Sequence, residues 1–243
     1  MLYVFCVVSA PTSNVVAAKV CVVTVSSLNK DYLASEDGQL CLEYGVQGAA
    51  LYASKNGYPF FLSSIVPPGD EPFTKRLDWG RLYTVRRIQN DFSGVCEWIF
   101  VLEGDIIVTN YDFDLQRVFD LAGNASLIIN RDAAGNLNTG VFYVRTNDVG
   151  RSIIDTIASI RYSHSSDPKV KTWASNGATM IAFRNQTIVA SAALVPNKLI
   201  NTYPPNWAPG DFVVHFAGHY PKAPAVREFL ARAPPSTWPG YPS

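Results

Sequence analysis

The sequence predicts an α/β fold: one domain built on a mostly parallel central sheet flanked by helices. Three observations predict it. Hydrophobic residues are 48% of the 243 and charged residues 16%, which supports a sizeable core and argues against disorder. Short β-branched runs alternate with segments of helical spacing through the first half. No Gly-x-Gly-x-x-Gly follows the first strand and no Gly-Lys-Ser/Thr loop occurs, which disfavours a dinucleotide dehydrogenase or a P-loop enzyme within that class.

The elements follow in chain order. Residues 19–26 form a β-branched run that fits a buried parallel strand. Residues 27–38 are polar and read as a loop. A helix is expected over 39–56, where Leu40, Tyr44, Leu51 and Tyr52 recur at helical spacing and Gly57 follows Asn56 as a C-cap. Residues 59–66 read as a strand, ended by Pro67-Pro68-Gly69. A helix of mixed charge follows at 78–90, then a strand at 97–102 and a short helix at 115–121. Strands are expected at 126–130 and 140–145. Residues 149–162 are amphipathic, with Ile153, Ile154, Ile157 and Ile160 on one side. Apolar segments at 178–183 and 187–194 and a late strand at 212–216 complete a domain of residues 1–222. The proline-rich remainder, 223–243, is expected to be an irregular extended arm.

Composition excludes several functions. The formal net charge is zero and Lys and Arg form no run, so nothing suggests a nucleic-acid binder. No apolar run reaches the ~20 residues needed to cross a bilayer. The start, 1–10, is apolar but lacks a basic region before it, the first lysine being Lys19. It reads as a strand or an added segment in a soluble protein. Cys6, Cys21, Cys41 and Cys96 show no Cys-x-x-Cys spacing, which disfavours zinc. Cys21 and Cys96 lie in apolar runs and read as small buried hydrophobes, though the count allows disulfides. Glycosylation sequons at Asn124 and Asn185 matter only in a secreted chain.

The stretch 95–110 carries the chemistry. Trp98 to Leu102 is apolar and leads into Glu103-Gly104-Asp105; Ile106 to Val108 leads away. Carboxylates are almost never fully buried unless paired or metal-bound. Two of them, separated by one glycine, can turn toward one hard cation and leave space for phosphates. The competing reading is a strand followed by an ordinary polar turn. In parallel α/β sheets, ligands sit beyond the carboxyl ends of the strands, and this pair lies at such an end.

Five segments in order carry a family resemblance: Asn56-Gly57-Tyr58, Trp79-Gly80-Arg81, Glu97 through Asp105, Leu137 through Arg145, and Pro209 through Gly218. Together, from about Lys19 to Lys222, the chain resembles the retaining galactosyl-, mannosyl- and xylosyltransferases of glycosyltransferase family 34. That resemblance implies a GT-A fold. It also implies metal-dependent transfer of a sugar from a UDP- or GDP-sugar to a glycan hydroxyl, with retention. Mn²⁺ or Mg²⁺ would be held by Glu103, Asp105 and His215. Lys222 would face the leaving diphosphate, helped by backbone N–H groups near Gly218. Thr24 and Ser26 would lie near base and ribose, Arg81 and Gly104 near the diphosphate, and Asn138 and Thr139 along the donor sugar or acceptor.

Two departures qualify the resemblance. The family has Asp-x-Asp where this chain has Glu103-Gly104-Asp105, one methylene longer. The family's acidic-Gln pair on the acceptor side corresponds here to 173–178, which holds no carboxylate. Asp132 and Asp167 are the substitutes, so the catalytic candidates are Asp105, Asn138 and Asp132. Family members are commonly anchored in the Golgi; with no anchor or clear signal here, a cytoplasmic location is favoured.

Each assignment has a structural rival. His215 on an apolar strand has the rival reading of a satisfied core histidine, though the acidic pair and the late glycine favour the metal role; Lys222 reads equally as a solvated lysine, and Asn138-Thr139-Gly140 has the rival reading of a plain turn. Trp79 and Trp98 read as core aromatics, Trp173 and Trp207 as stacking surfaces for an acceptor sugar. The alternative function is a non-catalytic glycan- or nucleotide-sugar-binding protein of the same fold. A glycoside hydrolase is disfavoured, because Glu103 and Asp105 are too close in sequence to flank a scissile bond.

Overall fold

A computed structural model describes residues 18–69, 73–218 and 221–241, without the side chains of 18, 19 and 73–75. The expectation for 1–10, and Cys6 with it, lies outside the described residues.

The strands are β1 (Ala18–Val25), β2 (Phe60–Ser63), β3 (Cys96–Glu103), β4 (Ile106–Val108), β5 (Leu127–Arg131), β6 (Leu137–Arg145), β7 (Ala192–Leu194) and β8 (Val213–His215). The helices are α1 (Lys30–Ala34), α2 (Glu36–Leu40), α3 (Gln47–Lys55), α4 (Phe73–Asp91), α5 (Gln116–Ala122), α6 (Asp148–Ser163), α7 (Pro168–Ala182), α8 (Gln186–Ala190), α9 (Asn197–Ile200) and α10 (Ala223–Arg232). A π-helical turn, Cys41–Val46, joins α2 to α3.

Six strands form the main sheet in the order β2-β1-β3-β6-β5-β7, while β4 and β8 pair separately. β1 pairs parallel with β2 and β3, and β5 with β7; β6 pairs antiparallel with β3 and β5. Only β6 therefore runs against the other five. The carboxyl ends of five strands and the start of β6 meet along one edge of the sheet. That edge is where ligands bind in open α/β folds.

The period of two along β1 divides the core. Val20 and Val22 face one buried cluster, which includes Ala49 and Tyr52 of α3, Phe119 of α5 and Phe229 of α10. Cys21, Val23 and Val25 face the other, with Trp79 and Leu82 of α4, Ile153 and Ile154 of α6 and Ala178 of α7. Trp79 and Trp98 are core residues, as expected. Cys21 and Cys96 are buried, and they are also bonded to each other across the β1–β3 pair, with Cα atoms 5.6 Å apart.

Two expectations are corrected. Residues 30–34 and 36–38, inside the expected loop of 27–38, are helical. Their polar side chains are caps: Asn29 accepts from the Tyr32 N–H and Ser35 from the Gly38 N–H. The C-terminal segment is not an extended arm, because α10 occupies 223–232. Its prolines sit where a helix tolerates them, Pro224 in the first turn and Pro234 beyond the end. Between them Val226, Phe229 and Ala233 fall on one face and are buried in the core.

Candidate metal and donor site

The acidic pair lies where the topology places it, at the end of β3 and the turn into β4. Parallel pairing puts Glu103 opposite Val25, and the Gly104 N–H donates to the Val25 carbonyl at 3.1 Å. The turn is packed so closely that only glycine fits at 104, since a Cβ there would meet Ser26 Oγ at 2.6 Å. Across the turn, antiparallel pairing of β4 with β8 sets Ile106 opposite His215, and the Phe216 N–H donates to the Asp105 carbonyl. Two separate pairings thus bring a carboxylate pair and an imidazole together from residues over a hundred positions apart.

His215 Nε2 lies 3.3 Å from Glu103 Oε2 and 3.5 Å from Asp105 Oδ1. Potential ligand atoms of the three residues all lie within 4.8 Å of one another. The floor beneath them is Gly140 of β6; a Cβ there would collide with the Glu103 carboxylate and meet His215 Cε1 at 2.6 Å. His215 Nε2 is buried and has no hydrogen-bond partner. An orphaned imidazole nitrogen between two carboxylate oxygens, over a glycine floor, fits a small divalent ion chemically.

Two buried cations hold the carboxylates. Lys222 Nζ donates to Asp105 Oδ2 at 2.6 Å and to the Phe216 carbonyl at 3.1 Å. Arg81, on α4, pairs with Glu103 Oε1 and also donates to Asp78 and Thr139, each at 2.9 Å. Burial by itself raises the pKa of Asp105, but the His215 ring and then the Lys222 ammonium overcome it, so the acid is held far below its usual range. Burial likewise opposes ionisation of Glu103, and Arg81 first, then His215, outweighs it. For His215 burial favours the neutral ring, yet the carboxylates of Asp105 and then Glu103 push its pKa up to about 9. Cys41 lies near this cluster, but burial pushes its thiol up to about 11, so at neutral pH it stays protonated.

The remaining sequence candidates fall around this centre. Thr24 and Ser26 are buried at the end of β1, and Thr24 Oγ1 has no partner. Gly218 has φ +73°, in the left-handed region that favours glycine. Thr139 Oγ1 is a hub that bonds Arg81, Ser175 and Asn176, and the Thr139 N–H donates to Asn176 Oδ1 at 2.7 Å. Asn138 Oδ1 accepts from the Gly140 N–H, and its amide lies 3.5 Å from the Tyr203 hydroxyl.

Other candidates are committed to structure. Asp132 Oδ1 accepts from the N–H groups of Ala134 and Asn136 in the β5–β6 turn. Asp167 is the N-cap of α7. Trp207 donates to Thr109 Oγ1 and packs edge-on against Phe229, whereas Trp173 is 46% exposed.

Sequence reasoning missed Asn201, Tyr203, Ser175 and Asn176 as site residues. Asn201 Oδ1 lies 2.7 Å from His215 Nδ1, and the Tyr203 ring stacks on His215 with centroids 5.8 Å apart. Both follow from an isolated parallel bridge, Thr202 with Val214, which no local pattern announces.

Comparison with known proteins bears on the fold and the family resemblance. Residues 118–225 match the galactosyl transferase GMA12/MNN10 family. The chain resembles that family, and its fold is GT-A. The match holds His215 and Lys222 but stops short of the acidic pair. Among solved structures, a glycosyltransferase involved in glycosylation of the major capsid of the virus PBCV-1 aligns with a TM-score of 0.67 at 17% identity. The alignment covers 86% of this chain and 99% of that one. The galactosyltransferase LgtC, solved with donor and acceptor sugar analogues, aligns with a TM-score of 0.52 at 13% identity over 88% of this chain and 96% of its own. GlyE of Streptococcus pneumoniae TIGR4 aligns with a TM-score of 0.50 at 14% identity, over 83% of this chain and 55% of GlyE. No curated protein matches by sequence. By family match and fold, the chain is a glycosyltransferase.

Proposed function

We propose that this glycosyltransferase is metal-dependent and moves a sugar from a UDP- or GDP-sugar to a glycan hydroxyl, with retention. The observation that carries the reading is the Glu103, Asp105 and His215 set, with the imidazole buried, the carboxylates partly exposed and Lys222 on its flank. Bound there, Mn²⁺ or Mg²⁺ would supply positive charge against the departing diphosphate. Glu103, Asp105 and His215 would hold it, and Lys222, now on Asp105, would offer its ammonium to the same diphosphate. Arg81 keeps Glu103 ionised and oriented. Thr24 Oγ1, buried and unpartnered at the end of β1, would bond the nucleotide. Asn138, Thr139 and Asn176 would lie along the sugar and the acceptor. Retention rests on the family resemblance.

A second reading, a non-catalytic nucleotide-sugar-binding protein, is favoured by one observation. The side chains bonded to Thr139 from α7 are Ser175 and Asn176, with no carboxylate, while Asp132 and Asp167 are occupied as turn and cap residues. One experiment separates the readings. A panel of UDP- and GDP-sugars is incubated with the protein, with and without Mn²⁺, and free nucleotide diphosphate is followed. Release from one donor, dependent on Mn²⁺ and lost in Asp105→Ala and His215→Ala, is the expected result. Mn²⁺-dependent nucleotide binding without release, even with glycan acceptors present, would establish the binding protein instead.

A further inference from the structure

The face of His215 turned away from the carboxylates is held by a chain of buried amides whose direction can be read from one end. Asn130 Nδ2 donates to the backbone carbonyl of Arg131 at 3.0 Å and to Asn197 Oδ1 at 2.9 Å. A backbone carbonyl only accepts, so the amide nitrogen of Asn130 must face it and the amide oxygen must point elsewhere. That oxygen accepts from Asn201 Nδ2 at 3.3 Å. The orientation of Asn201 follows: its nitrogen is turned to Asn130 and its oxygen to His215 Nδ1, 2.7 Å away. Oδ1 of an amide cannot donate, so Nδ1 of His215 carries a proton. A lone pair in the neutral ring is then left to Nε2, the nitrogen that faces Glu103 and Asp105.

We infer that Asn201, oriented by Asn130, is a positioning residue that fixes the tautomer and ring angle of His215 so that Nε2 is presented to the metal ion. The inference rests on the metal reading of the Glu103, Asp105 and His215 set. Three features make the chain more than a packing detail. Asn130 and Asn201 are fully buried and His215 nearly so, so water is not available to replace a lost partner. Flipping either amide would set two acceptors, or two donors, against each other. The backbone is held as well, since the His215 N–H donates to the Thr202 carbonyl at 2.8 Å, one residue beyond Asn201. Partners of this kind behind metal-bound imidazoles change metal affinity about 10- to 100-fold when removed.

The test compares Mn²⁺ binding and thermal stability of the full chain in wild type, Asn201→Leu and Asn201→Asp, by calorimetry and by the electron paramagnetic signal of free Mn²⁺. Leu is close in shape and accepts nothing, so Asn201→Leu should weaken Mn²⁺ about 10- to 100-fold. Asp keeps the acceptor but sets a carboxylate oxygen against Asn130 Oδ1. Asn201→Asp should therefore melt at a lower temperature, yet bind Mn²⁺ within a few-fold of wild type. A purely structural role predicts that affinity follows stability, with Asp worse than Leu; that order, or a Leu variant with wild-type affinity, overturns the inference. Should Asn201→Leu not fold, nitrogen NMR of wild type loaded with diamagnetic Zn²⁺ decides. A proton on Nδ1 supports the inference, and a proton on Nε2 with Nδ1 on the metal overturns it. Wild type that binds no Mn²⁺ would overturn the metal reading itself, a separate and earlier failure.

Discussion

Glu103, Asp105 and His215 were legible in the sequence because each violates its surroundings: a charge or an imidazole in an apolar run needs a reason. Gly140 was not, because a glycine's purpose shows only in what a Cβ would hit. Gly140→Ala places a methyl between the Glu103 carboxylate and the His215 ring. It should weaken Mn²⁺ binding at least tenfold, read by calorimetry, while circular dichroism stays unchanged. Unaltered affinity would show that the ligand set does not rest on this floor. The charge on His215 gives a second outcome. In the metal-free folded chain its pKa stands at about 9, against the ordinary 6.5. The protonated ring therefore stabilises the fold fully below about pH 6.5. That contribution is lost as pH rises through about 9. The melting temperature of metal-free protein should fall across this window, and His215→Gln should flatten the slope. A metal-free wild type whose melting temperature is level from pH 6.5 to 9 would contradict the charge pairing.

At the scale of elements, α7 holds an unusual feature. Ala174 has φ +42° and ψ −117°, a conformation suited to glycine, in the middle of a helix. The break lies immediately before Ser175 and Asn176, the two residues that bond Thr139, and it coincides with their turn toward the site. Backbone strain of this kind costs about 1–3 kcal/mol, against ~0.8 kcal/mol for the buried methyl that glycine would lose. Ala174→Gly should thus raise the unfolding free energy, by about 1 kcal/mol in a urea titration; a lower value would show the methyl's packing to dominate. Other elements show what local pattern reveals. The amphipathic helix at 149–162 and the β-branched strand at 19–26 were legible because their burial is regular. Residues 30–38 were not, since polar residues that cap two short helices look like a loop until the caps are seen. In 223–243 the prolines obscured a helical apolar spacing that was present in Val226, Phe229 and Ala233.

For the whole molecule, the Cys21–Cys96 bond closes a loop with a sequence separation of 75. Constraining a loop of that size stabilises by about 4 kcal/mol in the chain-entropy account. Cys21→Ala with Cys96→Ala should therefore lower the urea midpoint markedly without changing the Mn²⁺ affinity, because neither sulfur approaches the site. Equal midpoints for the variant and the wild type would show that the bond adds nothing. The C-terminal helix is part of the same body. Phe229 is 1% exposed and contacts Trp207, Phe216 and Trp238. Phe229→Ala should cost about 3–5 kcal/mol, measured by chemical denaturation. A loss below 1 kcal/mol would mean that the helix is a loosely held appendage.

The sequence by itself determined the α/β class, the apolar elements and the acidic pair, because each is written in local spacing or in a local break of it. The tertiary structure decided the rest. It reversed β6 so that Asn138, Thr139 and Gly140 meet the end of β3. It paired β8 with β4 so that His215 faces Glu103 and Asp105, and it laid 201–203 beside β8 so that Asn201 reaches the imidazole. These are contacts between residues far apart in the chain, fixed by strand register, and register is set by burial of whole faces rather than by any short motif.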